Sequence, residues 1–417
     1  CSIRICIRVN RTTKMNKTKK PRFRRQIKWI IGLLLLATIL LLAYAYFIGT
    51  RTMLEHAETL SLRRLQVSAL SEQGINRFFY MTNRRLGEQS GAIEDRYQSE
   101  REESLKFGSF DSRIEPSLGL GMIINSDAWF LNEEIRLQKI QALEREAFIA
   151  QLRTQVEANP RRSLLIVIHG FREAYQSALR KTAFLAHVLD INTPVLVFDW
   201  PGDQGSSLRG YRRARSVARA SGSELAATLK LVIEEIQPQR LWLMANSMGG
   251  QVVVDAFSQL RKDGDFSDKQ TEFENVVLTA ADVDHTAFNE HFKQEIKSLA
   301  DNITVYVSSN YRALFASRLI NRGKRLGESS FDPTNPDLVE QGVSFSDLLE
   351  TGNDQLVLVD VTPVNRTRNF HNFSLETPEF FDDLFLRLTL RELPQTRELY
   401  PLSTPQGSRY FVLTRGR

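Results

Sequence analysis

Cysteine is nearly missing from this 417-residue chain: it occurs only at Cys1 and Cys6. Any domain built further on has no thiol, which excludes disulfides, thiolate metal sites and a thiol nucleophile from it. Histidine is scarce as well, with six residues: His56, His169, His187, His285, His291 and His371. No two of them stand at ligand spacing on one helix face, so no metal is expected. No G-K-S/T follows Gly202, Gly205 and Gly210, which excludes a phosphate-binding loop of the usual kind. Acidic residues are absent from residues 1–28, where eleven Lys or Arg gather. The remainder holds 44 basic against 49 acidic residues. The net charge of +6 therefore belongs to the N-terminus, and it makes no case for nucleic acid as a partner.

The stretch after residue 28 explains that charge. Trp29 to Ile48 runs for twenty residues without a charged side chain, long enough as a helix to span a bilayer core. Lys19, Lys20, Arg22, Arg24, Arg25 and Lys28 flank it on one side. The positive-inside tendency predicts a cytoplasmic N-terminus, with everything after Thr50 exported to the periplasmic side. Ala43-Tyr44-Ala45 offers the competing reading of a cleaved signal peptide, but the length of the apolar run favours an uncleaved anchor. The organisation expected is a basic N-terminus (1–28), a transmembrane helix (29–49), a helical stalk (50–74), an α/β domain (75–395) and a C-terminal tail (396–417).

Within that domain, Arg77 to Arg84 reads as an aromatic strand ending in a polar turn, and Gly87 to Ser112 as irregular. Asn132 to Asn159 reads as one long amphipathic helix marked by Ile135, Ile140, Leu143, Phe148, Leu152 and Val156. From Leu164 on, strands and helices alternate. Strands are expected at Leu164–Ile168, Pro194–Phe198, Leu241–Ala245, Asn275–Ala280, Ile303–Val307 and, last, Leu356–Val361. Helices are expected at Tyr175–Leu189, Ser221–Ile236, Gln251–Leu260 and Pro378–Arg391. The alternation predicts an α/β fold: a mostly parallel sheet with helices on both faces. Arg322 to Gly352 is long for a loop and is a candidate lid.

The chemistry centres on Arg240 to Gly250, R-L-W-L-M-A-N-S-M-G-G. A strand that turns at once into a helix around x-S-x-G strains its central residue and pushes the serine oxygen out above the sheet. Ser247 is the candidate nucleophile; an N-cap serine is the structural alternative. A serine hydroxyl needs a base, and the base needs a carboxylate to orient it. Asp282 ends the next strand and Asp284 is its rival as the acid; a turn-forming aspartate is the plain alternative. His371 lies past the final expected strand and is the candidate base. An anionic intermediate needs preorganised donors, for which the backbone N–H groups of Phe171 and Met248 are expected, with Gly170 permitting close approach.

Taken together, these segments resemble a bacterial α/β-hydrolase family of unassigned function, related to the lipases and esterases. The likeness runs from about Phe78 to Leu393. It is carried by F-F-Y-M-T-N-R, V-I-H-G-F (Val167–Phe171), F-D-W-P-G (Phe198–Gly202), Tyr211, A-N-S-M-G-G and L-T-A-A-D-V-D (Leu278–Asp284). V-Y-V-S-S-N (Val305–Asn310), R-L-G (Arg325–Gly327) and H-N-F (His371–Phe373) add to it. The resemblance implies an α/β-hydrolase fold and a Ser–Asp–His site, but no particular substrate. Two positions depart from the family's habit. Asn246 stands where a histidine commonly precedes the serine, and Tyr311 where an aspartate commonly follows S-S-N; if that aspartate is the family's acid, this chain lacks it, and Asp282 must serve or activity is crippled. The function expected is a membrane-anchored, cofactor-free serine hydrolase acting on a small-molecule or lipid ester. The alternative, prompted by Tyr311 and Ala245, is an inactive hydrolase fold that binds a partner in the cell envelope.

Overall fold

The computed structural model describes residues 29–40, 75–88, 91–114, 135–263, 272–284, 287–308, 355–365, 373–389, 397, 399–403 and 409–414. The chain divides into two units, Cys1–Thr52 and Met53–Arg417. In the first, residues 29–40 form a helix, α1, exposed along its whole length. Among the described residues no helix is long and apolar enough to cross a membrane. The remainder of the expected span, the basic residues 1–28 and the stalk at 50–74 lie outside the described residues.

The second unit is built on one sheet. Its strands are β1 (Ile75–Leu86), β2 (Tyr97–Ile114), β3 (Ile135–Leu143), β4 (Ser163–Ile168), β5 (Val195–Asp199) and β6 (Arg240–Asn246), then β7 (Phe273–Thr279), β8 (Ala300–Val307), β9 (Leu356–Asp360), β10 (Leu399–Ser403) and β11 (Arg409–Leu413). The helices are α2 (Ile93–Arg96), α3 (Arg145–Ala158), α4 (Tyr175–Leu189), α5 (Leu208–Ala220), α6 (Gly222–Leu231), α7 (Gly249–Lys262), α8 (Lys293–Leu299), α9 (Phe373–Glu376) and α10 (Pro378–Thr389). The strand order is β10-β11-β9-β8-β7-β6-β4-β5-β1-β2-β3. Every pair from β11 to β1 is parallel. Only the two margins, β10 and β2–β3, are antiparallel.

The strand pattern follows from two covered faces. In β4, Leu164, Ile166 and Ile168 point into one apolar cluster while Leu165 and Val167 point into the other. In β6, Leu241, Leu243 and Ala245 face the first cluster, and Trp242 and Met244 the second. A strand buried on both sides needs apolar residues at every position, not at alternate ones. Helices α3 and α5–α8 supply residues to the first cluster, and α4, α9 and α10 to the second.

Four sequence expectations change. Asn132–Asn159 is not one helix but β3 followed by α3. Ile135 and Leu137 alternate as strand residues; then the β2–β3 register shifts and Lys139 takes φ 47°. That bulge resets the phase, so Ile140 and Leu143 fall at a spacing that imitates a helix stripe. Gly87–Ser112 is not irregular: it contains α2 and most of β2, whose charged Glu102 and Glu103 lie exposed while Phe110 is buried. Residues 396–417 are more than a tail, because β10 and β11 extend the sheet beyond β9 and bury Leu399, Phe411 and Leu413. Helix α5 is an addition. Its buried positions are the small residues Gly210, Ala214 and Ala218, so no large apolar stripe announces it.

Candidate active site

At the end of β6 the chain turns through Ser247 into α7. Ser247 has φ +54°, a left-handed conformation that costs a side-chain-bearing residue roughly 1–2 kcal/mol. The surrounding backbone is packed too closely for larger residues. A Cβ on Gly249 would lie 2.6 Å from the His169 carbonyl oxygen and 2.8 Å from that of Ile168. One on Gly170 would lie 2.9 Å from the Cβ of Ser247. Hydrogen bonds hold the turn: the Ser247 N–H donates to the Thr279 carbonyl (2.8 Å), and the Ser247 carbonyl accepts from the N–H groups of Gly250 and Asp282 (3.0 Å each). The loops after β4, β6 and β7 therefore meet at the carboxyl edge of the sheet, where open parallel sheets bind their ligands.

Asn246 links this turn to a distant part of the chain. Its side-chain oxygen accepts from the hydroxyls of Thr279 (3.0 Å) and Ser374 (3.2 Å). His371 itself, with Tyr311, His285 and the candidate lid Arg322–Gly352, lies outside the described residues.

The two candidate acids differ in setting. Asp282 is buried, and its Oδ2 accepts a 2.6 Å hydrogen bond from the Tyr211 hydroxyl on α5. Asp284 accepts from the Ala287 N–H at 3.0 Å, a turn-forming role. The Tyr211 ring also meets Phe171 edge to face, with centroids 5.6 Å apart. Among the described residues, neither the Phe171 N–H nor the Met248 N–H donates to a backbone carbonyl outside the regular elements. No group of three or more His, Cys, Asp or Glu among the described residues could hold a metal ion.

Beneath Gly170 lies a polar network that the sequence motifs contained without revealing its wiring. The Arg84 guanidinium, wholly buried at the end of β1, donates through Nε to Asp199 (2.8 Å) and through Nη1 to Asp203 (2.6 Å). Its Nη2 donates to the carbonyls of Glu173 (2.7 Å) and Trp200 (3.0 Å). Asp199 also accepts from the Thr82 hydroxyl (2.6 Å) and lies 3.1 Å from His169 Nε2. Burial alone would raise the Asp199 carboxyl, but the charge of Arg84, then His169, holds its pKa below the ordinary value. Burial works likewise on Glu173, which Lys181 and the Ser177 hydroxyl bring below its ordinary value. The His169 ring stacks on Trp200 at 5.6 Å, and the Trp200 indole N–H donates to the His169 carbonyl (2.9 Å). The Arg172 N–H donates to the Gly202 carbonyl (2.9 Å). The loops after β4 and β5 are thus fastened to each other and to β1. A charged residue closing an otherwise aromatic strand was the signal available for Arg84, but nothing in the sequence names its partners.

Comparison with solved structures finds the ydeN gene product of B. subtilis, 15% identical over 53% of this chain and 96% of that one, at a TM-score of 0.30. XC6422 from Xanthomonas campestris, described as an a/b serine hydrolase without lid, is 17% identical over 56% and 83% at 0.28. The Est2 esterase of Thermogutta terrifontis is 11% identical over 49% and 73% at 0.24. At these scores the structures add nothing to the assignment. No curated protein sequence matches the chain. A family profile matches residues 144–367, which include β4 with its H-G loop, the elbow at Ser247 and the acidic loop after β7, and the chain belongs to that family, the alpha/beta hydrolases of unknown function.

Proposed function

We propose that this hydrolase is a serine esterase in which Ser247 attacks the acyl carbon of a carboxylic ester. His371 takes the hydroxyl proton and returns it to the leaving alcohol; Asp282 orients the imidazole; the N–H groups of Phe171 and Met248 stabilise the tetrahedral oxyanion. A water molecule, deprotonated by the same histidine, then releases the acid and restores the serine. The observation that carries this reading is the left-handed backbone of Ser247, in a turn against which Gly170 and Gly249 pack too closely to admit a Cβ without a shift. Strain of this kind persists where the surrounding structure enforces it, and it clusters at active sites. The tie from Ser374 to Asn246 supports His371 as the base, because three residues of chain span at most roughly 10 Å.

The second part of the proposal is a membrane tether at residues 29–49, with a cytoplasmic N-terminus and the hydrolase unit on the periplasmic side. The exposed apolar side chains of α1, Trp29, Ile30, Leu33 and Leu34 among them, support it. With such a tether the ester substrate is a small molecule or a lipid.

Fluorophosphonate labelling and ester hydrolysis test the catalytic part. Wild type should label and hydrolyse, and Ser247→Ala and His371→Ala should each lose several orders of magnitude in rate. Wild type that neither labels nor hydrolyses any ester, short-chain or long, would favour an inactive binding protein of the envelope.

A further inference from the structure

Helix α5 carries a charge pattern that neither the fold nor the proposed chemistry requires. Its sequence, L-R-G-Y-R-R-A-R-S-V-A-R-A, contains Arg209, Arg212, Arg213, Arg215 and Arg219 and no acidic residue. Gly210, Ala214 and Ala218 are buried, whereas Leu208, Arg209, Arg212, Arg213, Ser216 and Arg219 are exposed. At 100° per residue those exposed positions share one continuous face. Arg215 and Arg219 lie near Asp255 of α7; Arg209, Arg212 and Arg213 have no such neighbour among the described residues.

Helix stability does not account for this arrangement. Like charges at i, i+4, as at Arg209 and Arg213, repel each other. Cations in the first turns oppose the helix dipole. At the leading end of the same face stands Leu208, 61% exposed. Beyond α1, only Leu208 and Tyr400 are large hydrophobic residues left that exposed among the described residues. An apolar residue beside a row of arginines, in a unit whose remaining charge is acidic on balance, matches an interface of phosphates over hydrocarbon. The helix is also coupled to the site, since its Tyr211 bonds Asp282 and packs on Phe171.

We propose that the exposed face of α5 docks on an anionic phospholipid surface, with Leu208 entering the headgroup layer and Arg209, Arg212 and Arg213 binding lipid phosphates. This surface is independent of whether Ser247 is a nucleophile, and its test reads binding alone. The full chain, with Cys1→Ser, Cys6→Ser and Leu208→Cys, is labelled at position 208 with an environment-sensitive fluorophore. It is then reconstituted in nanodiscs of phosphatidylcholine, alone or with about one third phosphatidylglycerol.

Emission should shift to the blue only with the anionic lipid and return on adding salt to about 0.5 M. It should vanish in R209Q/R212Q/R213Q at the same lipid composition. A label at Glu157→Cys on α3 should not respond, and the triple variant should melt as wild type does. Equal emission in both nanodiscs, or an undiminished response in the triple variant, would overturn the proposal. So would the same shift on adding inorganic phosphate to the phosphatidylcholine nanodiscs, since that outcome means a soluble-anion site.

Discussion

Ser374 donates its hydroxyl to the side-chain oxygen of Asn246 at 3.2 Å, tying the chain just after His371 to the residue just before Ser247. Thr279 donates to the same oxygen. Replacing Asn246 by Leu removes the shared acceptor and leaves both hydroxyls to find another. The expected cost is about 1–3 kcal/mol of stability, measured by urea unfolding. In ester hydrolysis, kcat should fall while KM changes little, because the lost tie positions catalytic groups and not substrate.

Gly170 and Gly249 are sensitive to a single added methyl for different reasons. A Cβ at Gly170 would press at 2.9 Å on the Ser247 Cβ, an atom fixed to the backbone of the turn, and at 3.2 Å on the Asn246 carbonyl. One at Gly249 would meet two backbone oxygens that cannot step aside. Overpacking of this kind costs about 1–3 kcal/mol. Gly249→Ala should lower the melting temperature more than Gly170→Ala, and Gly170→Ala should slow fluorophosphonate labelling of a protein that remains folded.

Arg84 holds Asp199, Asp203 and two carbonyls with no exposure to solvent. Arg84→Met leaves a buried carboxylate without its counter-charge, at an expected cost of about 3–5 kcal/mol near pH 7. In the wild type Asp199 titrates below its ordinary value. Its pairing therefore stabilises the fold above about pH 4, and that contribution fades as pH falls through the depressed pKa. In the variant, burial acts unopposed by Arg84 and raises the same carboxyl, so protonation relieves the penalty. The stability gap between the two proteins should narrow as pH drops from 7 towards about 4; denaturation curves at several pH values would reveal a constant gap if Asp199 were not the linked group.

The elbow is strained in a way that glycine relieves. With φ +54° at Ser247, Ser247→Gly should be more stable than Ser247→Ala by about 1 kcal/mol. Neither variant should label with a fluorophosphonate. Equal melting temperatures for the two would mean that the turn relaxes without the hydroxyl.

The amino-acid order alone determined the parallel core and the position of the elbow. Strands covered on both faces must be apolar throughout, and Leu164–Ile168 and Leu241–Ala245 carry that demand openly; the small residues of N-S-M-G-G do the same for the turn. The margins were not legible. A bulge at Lys139 gives a strand the spacing of a helix stripe, and α5 buries only glycine and alanine, so neither segment signals itself locally. Nor could any local pattern show that Arg84 closes on Asp199, Tyr211 on Asp282, or Ser374 on Asn246. Those contacts join residues 71 to 128 positions apart, and only the sheet order, which brings β1 beside β5 and the loops of β4, β6 and β7 to one edge, decides that they meet.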